Sequence, residues 1–170
     1  MNGVHGSLVT LAEIINEVTD IQMPQVAPAI LPQVYKIFVD PQHYSLELRR
    51  RAIEIFTAIV NVIAEMAEYD ASCGKKYLFP CLAEFTFAMV NVLGLSVVSG
   101  GSTVESSGGG GGGGGKLVDN GLKSEVIKAL SALLKSFPKK LTTMMNDVLT
   151  QIWNCLVQSS QVNNKEYYFD

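Results

Sequence analysis

The chain has 170 residues, of which 48% are hydrophobic and 17% charged, and its formal net charge is −3. Such an apolar composition excludes a disordered chain, and the weakly acidic balance lacks the clustered basic residues typical of nucleic-acid-binding proteins. We therefore expect a folded protein with much buried surface and no direct nucleic-acid partner.

Helical periodicity recurs along the chain, and no stretch of comparable length alternates with the period of a strand. The first helix is predicted over 5–20, and the acidic residues of its polar face are Glu13, Glu17 and Asp20. The second is predicted over 23–38, where Pro24 and Pro28 suit the first turns. Pro32 should bend this helix, because proline removes a backbone donor.

The third predicted helix, 45–66, has the clearest apolar stripe. Its polar face is of mixed charge and carries Glu47, Arg50, Arg51 and Glu54. The spacing predicts i,i+4 ion pairs Glu47–Arg51 and Arg50–Glu54, worth a few tenths of a kcal/mol each. The run Arg49, Arg50, Arg51 resembles a localisation signal. Because it lies within a helix among apolar neighbours, we interpret it as a solvated helix flank.

Three further helices are predicted over 76–93, 122–137 and about 139–158, with Pro138 at the last turn between helices. The polar face of the fifth helix is basic and includes Lys128 and Lys135.

The fourth helix lies in an apolar stretch, 77–98, that is long enough to resemble a membrane span. It contains Pro80, Glu84 and Asn91, and a charge within a span is costly in lipid. We therefore predict a helix buried in the protein, with no membrane partner. The N-terminus has no basic region before an apolar core, so we expect no secretory signal.

A segment rich in glycine and serine, 96–120, separates the fourth and fifth helices and contains eight consecutive glycines. Gly110, Gly115 and Lys116 match the start of a phosphate-binding loop. Such a loop needs a preceding strand and a Ser or Thr after the lysine, whereas Leu117 follows here. We interpret 96–120 as a flexible insert, and 159–170 as an irregular tail.

Metal and catalytic sites are not expected. Cys73, Cys81 and Cys155 form no CxxC pair, and His5 and His43 lie far from each other. No serine lies in a nucleophile-elbow context. The sequence thus predicts buried thiols in a reducing compartment, no cofactor, and no enzyme.

An internal repeat relates the predicted helices. "AILPQVYKIF" (29–38), "YLFPCLAEFTF" (77–87) and "DVLTQIWNCLV" (147–157) share an apolar start and a later aromatic residue, and the intervening helices are offset by about 45 residues. This period is typical of HEAT and armadillo repeats. We predict an all-α HEAT-repeat α-solenoid over 4–158. It has about six helices, in antiparallel pairs that form a right-handed superhelical stack.

The stretch "VHGSLVTLAEIINEVTDIQMPQVAPAILPQVYKIF", followed by "RRAIEIFTAIVNVI", resembles the N-terminal HEAT repeats of karyopherin-β nuclear import receptors. "SEVIKALSALLKSFPKKL" and "VLTQIWNCLVQSS" resemble the next part of such receptors. The resemblance covers about 4–95 and 121–160, and the insert is longer than the family pattern. It implies a binding protein that shuttles between cytoplasm and nucleus. Its implied partners are the Ran GTPase, FG-repeat nucleoporins and basic cargo such as core histones or ribosomal proteins.

In such receptors the second helix of each pair lines the concave face, which here would be 5–20, 45–66 and 122–137. The implied protein-binding residues are Glu13, Glu17, Asp20, Glu47, Arg50, Arg51, Glu54, Lys128 and Lys135. FG-repeats would dock between outer helices, whose aromatic residues are Tyr35, Phe38, Phe79, Phe85, Phe87 and Trp153. For each aromatic residue, core packing is the competing interpretation. A HEAT-repeat scaffold subunit of another complex is the alternative function.

Overall fold

The computed structural model describes residues 2–18, 21–95 and 118–142, together with 146, 149–150, 152–154 and 156–157. Within these residues the regular structure is helical and no strand occurs, which confirms the all-α prediction. Asp20, most of the glycine-rich insert, Cys155 and the tail from residue 159 lie outside the described part.

Six α-helices and one π-helical segment can be delimited among the described residues. Their bounds are α1 Asn2–Glu17, α2 Met23–Val39, α3 Leu46–Tyr69, the π segment Gly74–Leu78, α4 Phe79–Gly94, α5 Asn120–Ser136 and α6 Pro138–Leu141. The first five α-helices match the predicted helices within a few residues, whereas the π segment was not predicted. Beyond α6, the described positions from 149 onward are helical, within the range predicted for the sixth helix.

The helices form two layers. In the first layer, α3 lies between α1 and α5 and contacts both; in the second layer, α2 contacts α4. α2 also packs on α3, and α4 on α5. In both pairs the end of the first helix lies beside the start of the second, so the helices run antiparallel. Two stacked helical hairpins flanked by α1 are the arrangement expected of HEAT-like repeats.

The core is centred on α3, which is covered on several sides. Its fully buried residues are Ala52, Ile53, Ile55, Phe56, Ile59, Val60 and Ile63. The Phe56 ring stacks on Phe85 of α4 with 4.1 Å between centroids, and Tyr35 of α2 packs edge-on to Phe85 at 5.1 Å. These three rings join α2, α3 and α4, and burial of each large apolar side chain stabilises the fold by about 1.5–3 kcal/mol.

The prolines of the second helix do not interrupt it. α2 continues through Pro28 and Pro32 to Val39. Both prolines are exposed. Each lacks an N–H, so the carbonyl group four residues earlier has no donor within the helix, and this carbonyl lies on the same exposed side as the proline. Water can therefore satisfy these carbonyl groups.

One stretch of described residues, Gly74–Gly94, is long and apolar enough to cross a membrane by length and composition. Its buried side chains in α4 include Leu82, Phe85 and Met89, which belong to the hydrophobic core. These side chains pack against the other helices, but only 39% of the apolar stretch is buried, which is less than the buried helix that the sequence predicts.

Candidate protein-interaction surfaces

The first hairpin, α2–α3, is closed by a cap and a buried cation. The Ser45 hydroxyl accepts a hydrogen bond from the Leu48 amide at 3.3 Å and so caps α3. Arg49, only 3% exposed, donates from Nε to the Phe38 carbonyl oxygen at 2.8 Å, near the end of α2. Burial lowers the pKa of Arg49, and the Asp40 carboxylate opposes that effect. Arg49 is therefore a buried contact between helices, and its interpretation as part of a solvated flank was wrong.

The second hairpin, α4–α5, repeats this arrangement. The Asp119 carboxylate accepts from the Leu122 amide at 2.8 Å and caps α5. Lys123, also 3% exposed, donates from Nζ to the Leu93 carbonyl oxygen at 3.0 Å. Val118, just before the cap, is fully buried in the hydrophobic core.

The two hairpins share one register. In each, the buried cation lies four residues after the helix cap, and its acceptor is the penultimate residue of the preceding helix. Residues 40–45 connect the first pair, whereas 95–119 connect the second. The same cap and cation contacts therefore occur in both hairpins although their connections differ in length.

A charged band crosses the first layer from α3 to α5. Arg50 bonds to the Asp119 carboxylate and lies 3.5 Å from a Glu47 oxygen. Arg51 lies 3.4 Å from Glu47 and donates to Glu54 at 2.7 Å. The predicted Glu47–Arg51 pair is confirmed. The predicted Arg50–Glu54 pair is not found, because Arg50 reaches across to α5 and Arg51 takes Glu54 instead.

The band continues along α5 through Lys128, whose ammonium group bonds to Glu125 at 2.7 Å. This hydrogen bond and the nearby charges of Glu125 and Glu54 raise the pKa of Lys128. Likewise, the hydrogen bond from Glu54 and the charges of Glu54, Glu47 and Glu125 raise the pKa of Arg51. The side chains of α3 and α5 therefore interact electrostatically across the layer.

Two members of the band, Asp119 and Glu125, were not among the predicted binding residues. Asp119 stands immediately before the apolar periodicity of the fifth helix, a pattern that indicates a helix cap. The sequence pattern identifies Asp119 as a helix cap, but it does not predict the bond between the Asp119 carboxylate and Arg50. Glu125 lies three residues before Lys128, and this spacing of opposite charges predicts an ion pair on a helix surface.

Gly121, in the first turn of α5, lies against the side chain of Arg50 from α3. A Cβ atom added there would lie 2.5 Å from Cζ of Arg50 and 2.7 Å from its Nε. The guanidinium group therefore lies directly against the first turn of α5, and only glycine leaves room for it in this position.

Other predicted binding residues lie apart from the band. Glu13 and Glu17 are exposed on α1, and Lys135 is exposed in the last turn of α5. Within the described residues, none of the three makes an ion pair with the band. Asp20, predicted on the same stripe as Glu13 and Glu17, lies outside the described part.

A groove of about 400 Å³ lies between α2 and α4 of the second layer. Three of its apolar side chains are well exposed: Phe87 at 64%, Leu95 at 46% and Val39 at 41%. Tyr35 also lines the groove and is half-buried. Exposed apolar side chains that line one groove are typical of a binding site.

The outer-helix aromatics separate into three groups by burial. Phe38 and Phe85 are fully buried, Tyr35 and Phe79 are half-buried, and Phe87 and Trp153 are more than 60% exposed. The core-packing interpretation therefore holds for Phe38 and Phe85, and Phe87 is the aromatic that the α2–α4 groove presents to solvent.

The described residues contain no group of three His, Cys, Asp or Glu side chains that could hold a metal ion. His43 instead pairs with Asp40, with 2.7 Å between Nδ1 and Oδ2. The Cys81 thiol donates to the Leu78 carbonyl, and burial raises its pKa to about 11.

Comparison with known proteins finds a distant relative. The chain matches no protein-family model. It is 24% identical over 164 residues to Importin-9 of Drosophila melanogaster. The aligned region covers 94% of this chain and 14% of that protein, so the chain spans about a seventh of the relative's length. This similarity confirms the resemblance that the sequence motifs indicate.

Proposed function

We propose that this chain is a segment of a nuclear transport receptor that acts in protein import by binding its partners, without catalysis. The observation that carries the proposal is a two-layer stack of helical hairpins in a chain similar to Importin-9 over 94% of its length. As part of such a receptor, the chain shuttles between cytoplasm and nucleus.

The first layer, in this proposal, binds the Ran GTPase and basic protein cargo such as core histones or ribosomal proteins. The charged band has four acidic and three basic members: Glu47, Glu54, Asp119 and Glu125, with Arg50, Arg51 and Lys128. Glu13 and Glu17 add acidic side chains on α1, and Asp20 and Lys135 complete the proposed set. Partly exposed charges of this kind act mainly on association rate and specificity.

The second layer, in this proposal, binds FG-repeat nucleoporins. The α2–α4 groove is apolar along most of its length and holds about 400 Å³, enough for a phenylalanine ring. Phe87 is already exposed there, so an incoming ring gains contact without any rearrangement of the core.

Titration calorimetry with Ran, loaded with a non-hydrolysable GTP analogue or with GDP, tests the proposal at low and moderate salt. We expect binding that prefers the GTP form and weakens with salt. Glu47→Lys should weaken it severalfold. Glu65→Lys makes the same charge change on α3 at an exposed position outside the band. This control should leave Ran binding unchanged.

A HEAT-repeat scaffold subunit shares the fold and remains the alternative function. Such a protein would bind both nucleotide forms of Ran equally or bind neither. That result, obtained with a folded monomer, would favour the scaffold.

A further inference from the structure

An apolar groove lies at the turn between α5 and α6, away from the charged band. It holds about 540 Å³ and is lined by Phe79, Ser136, Phe137, Pro138, Lys139 and Lys140. The Phe79 and Phe137 rings meet edge to face with 5.5 Å between centroids. Both rings press on Gly74, where an added Cβ would lie 2.9 Å from Phe137.

Two pairs of lysines flank this contact along the chain, and one of them, Lys139 and Lys140, lines the groove itself. Lys75 and Lys76 follow Gly74 in the π segment, and Lys139 and Lys140 follow Pro138 in α6. All four side chains are exposed. We name the groove and these four residues the lysine groove. The segments that carry the pairs are far apart in sequence, and Gly74 and Phe79 pack against Phe137 where these segments meet.

The lysine groove has a local excess of positive charge in a chain of net charge −3. It holds four of the 13 basic residues. Among the described residues its one ion pair joins Lys76 to Asp70 at 3.9 Å, and both of these side chains are 57% exposed. The other three lysines have no carboxylate within ion-pair distance in that part of the chain.

Lys140 is positioned by an aromatic ring. Its Nζ lies 5.3 Å from the centre of the Phe79 ring, a cation–π distance. The ammonium group is therefore held over the edge of the apolar groove, where it can still donate hydrogen bonds to an acidic ligand.

We propose that the lysine groove binds an acidic peptide segment, one apolar side chain of which packs on Phe137 and Pro138 while flanking carboxylates pair with the lysines. Charge complementarity and the apolar lining argue together for this ligand. A nucleic acid fits less well, because Lys140 covers one face of Phe79, and edge-to-face packing leaves Phe79 and Phe137 unsuited to base stacking. The proposal uses neither the charged band nor the α2–α4 groove, so it does not depend on the proposed transport function.

Fluorescence anisotropy with the full chain tests this inference. The probe is a labelled nine-residue peptide with one central phenylalanine and four Asp or Glu residues on each side. We expect saturable binding that weakens at least fivefold when the phenylalanine is replaced by alanine, or when the acidic residues are replaced by their amides. Lys140→Glu and Lys139→Glu should each weaken binding at least fivefold. The same charge reversal at exposed Lys36 of α2 should change it less than twofold.

Three results would overturn the inference. The amide peptide could bind as tightly as the acidic one, or Lys36→Glu could weaken binding as much as Lys140→Glu. The third result is that a single-stranded oligo-dT or phosphatidylserine vesicles bind more tightly than the acidic peptide, with the same dependence on Lys139 and Lys140.

Discussion

The ammonium nitrogen of Lys123 donates a hydrogen bond of 3.0 Å to the carbonyl oxygen of Leu93, which lies 30 residues earlier in the chain. The cation is almost fully buried and faces the C-terminal end of α4, where the helix dipole favours positive charge. The bond spans the glycine-rich insert, so it aligns α4 with α5 independently of the residues that connect them.

Replacement of Lys123 by methionine should therefore destabilise the fold by about 1–3 kcal/mol, because the Leu93 carbonyl loses its donor in a buried position. The free energy of unfolding in urea, measured by circular dichroism, checks this. Lys36→Met, at an exposed site of α2, should cost less than about 0.5 kcal/mol and is the matched control. Equal effects of the two substitutions would contradict the structural role of Lys123.

Gly121 and Arg50 should be coupled. In the native chain, Gly121→Ala displaces the Arg50 guanidinium from Asp119, so it should destabilise the protein although alanine favours helices. In an Arg50→Ala background the obstacle is gone, and the same substitution should stabilise by about 0.5–1 kcal/mol. A double-mutant cycle from urea unfolding measures this coupling. If Gly121→Ala changes the free energy of unfolding equally in both backgrounds, the contact between Gly121 and Arg50 does not contribute to stability.

Phe87→Ala should weaken the binding of FG-repeat peptides severalfold and leave stability nearly unchanged, because Phe87 is 64% exposed in the α2–α4 groove. Tyr69→Ala removes an aromatic ring that is 92% exposed at the end of α3, outside that groove, and should leave binding unchanged. Peptide titration monitored by anisotropy distinguishes the two variants. If both behave alike, the groove is not the docking site.

Asp70 should make stability depend on acid pH. Its carboxylate accepts hydrogen bonds from the Ser72 hydroxyl and amide, each at 2.9 Å, and these bonds hold its pKa below 3.8 in the folded chain. Because the folded pKa is lowered, this stabilisation is present above pH 3.8 and is lost as the pH falls through the folded value. Asp70→Asn should therefore be less stable than the native chain at pH 7, and the difference should shrink below about pH 4. Urea midpoints measured from pH 7 to pH 3 test this; a difference independent of pH would contradict it.

Cys81 should react slowly with iodoacetamide in the folded protein. A rise of its pKa from 9.0 to about 11 leaves roughly a hundredfold less thiolate at neutral pH. Peptide mapping by mass spectrometry gives the rate for Cys81 alone, and the same measurement in urea supplies the unprotected reference. Comparable rates in both conditions would mean that the thiol is not buried in solution.

Much of the fold could be predicted because helix periodicity is local. The apolar stripe of α3 and the caps before α3 and α5 depend on short stretches of sequence. In the structure, both helices begin and end within a few residues of the predicted bounds. The π segment was missed because GKKYL carries no pattern that separates it from the start of an α-helix. Pro32 was expected to bend α2, but the helix continues through it to Val39, and the proline side chain faces solvent.

The candidate surfaces were predicted less completely. The residues Arg49, Arg50 and Arg51 are chemically identical, and their sequence placed all three on one flank. In the structure Arg49 is buried against Phe38, Arg50 binds Asp119, and Arg51 pairs with Glu54 on its own helix. Only the last of these contacts is local in sequence.

The sequence by itself thus determined that the chain folds into amphipathic helices in repeated pairs, because that information is local and periodic. Tertiary structure alone decided which polar groups those pairs bury and which apolar ones they expose. Periodicity places residues on a common face without saying what the face meets. Lys123 reaches Leu93, and Phe87 remains in solvent while Phe85 is buried, only because the helices approach at one particular spacing and register.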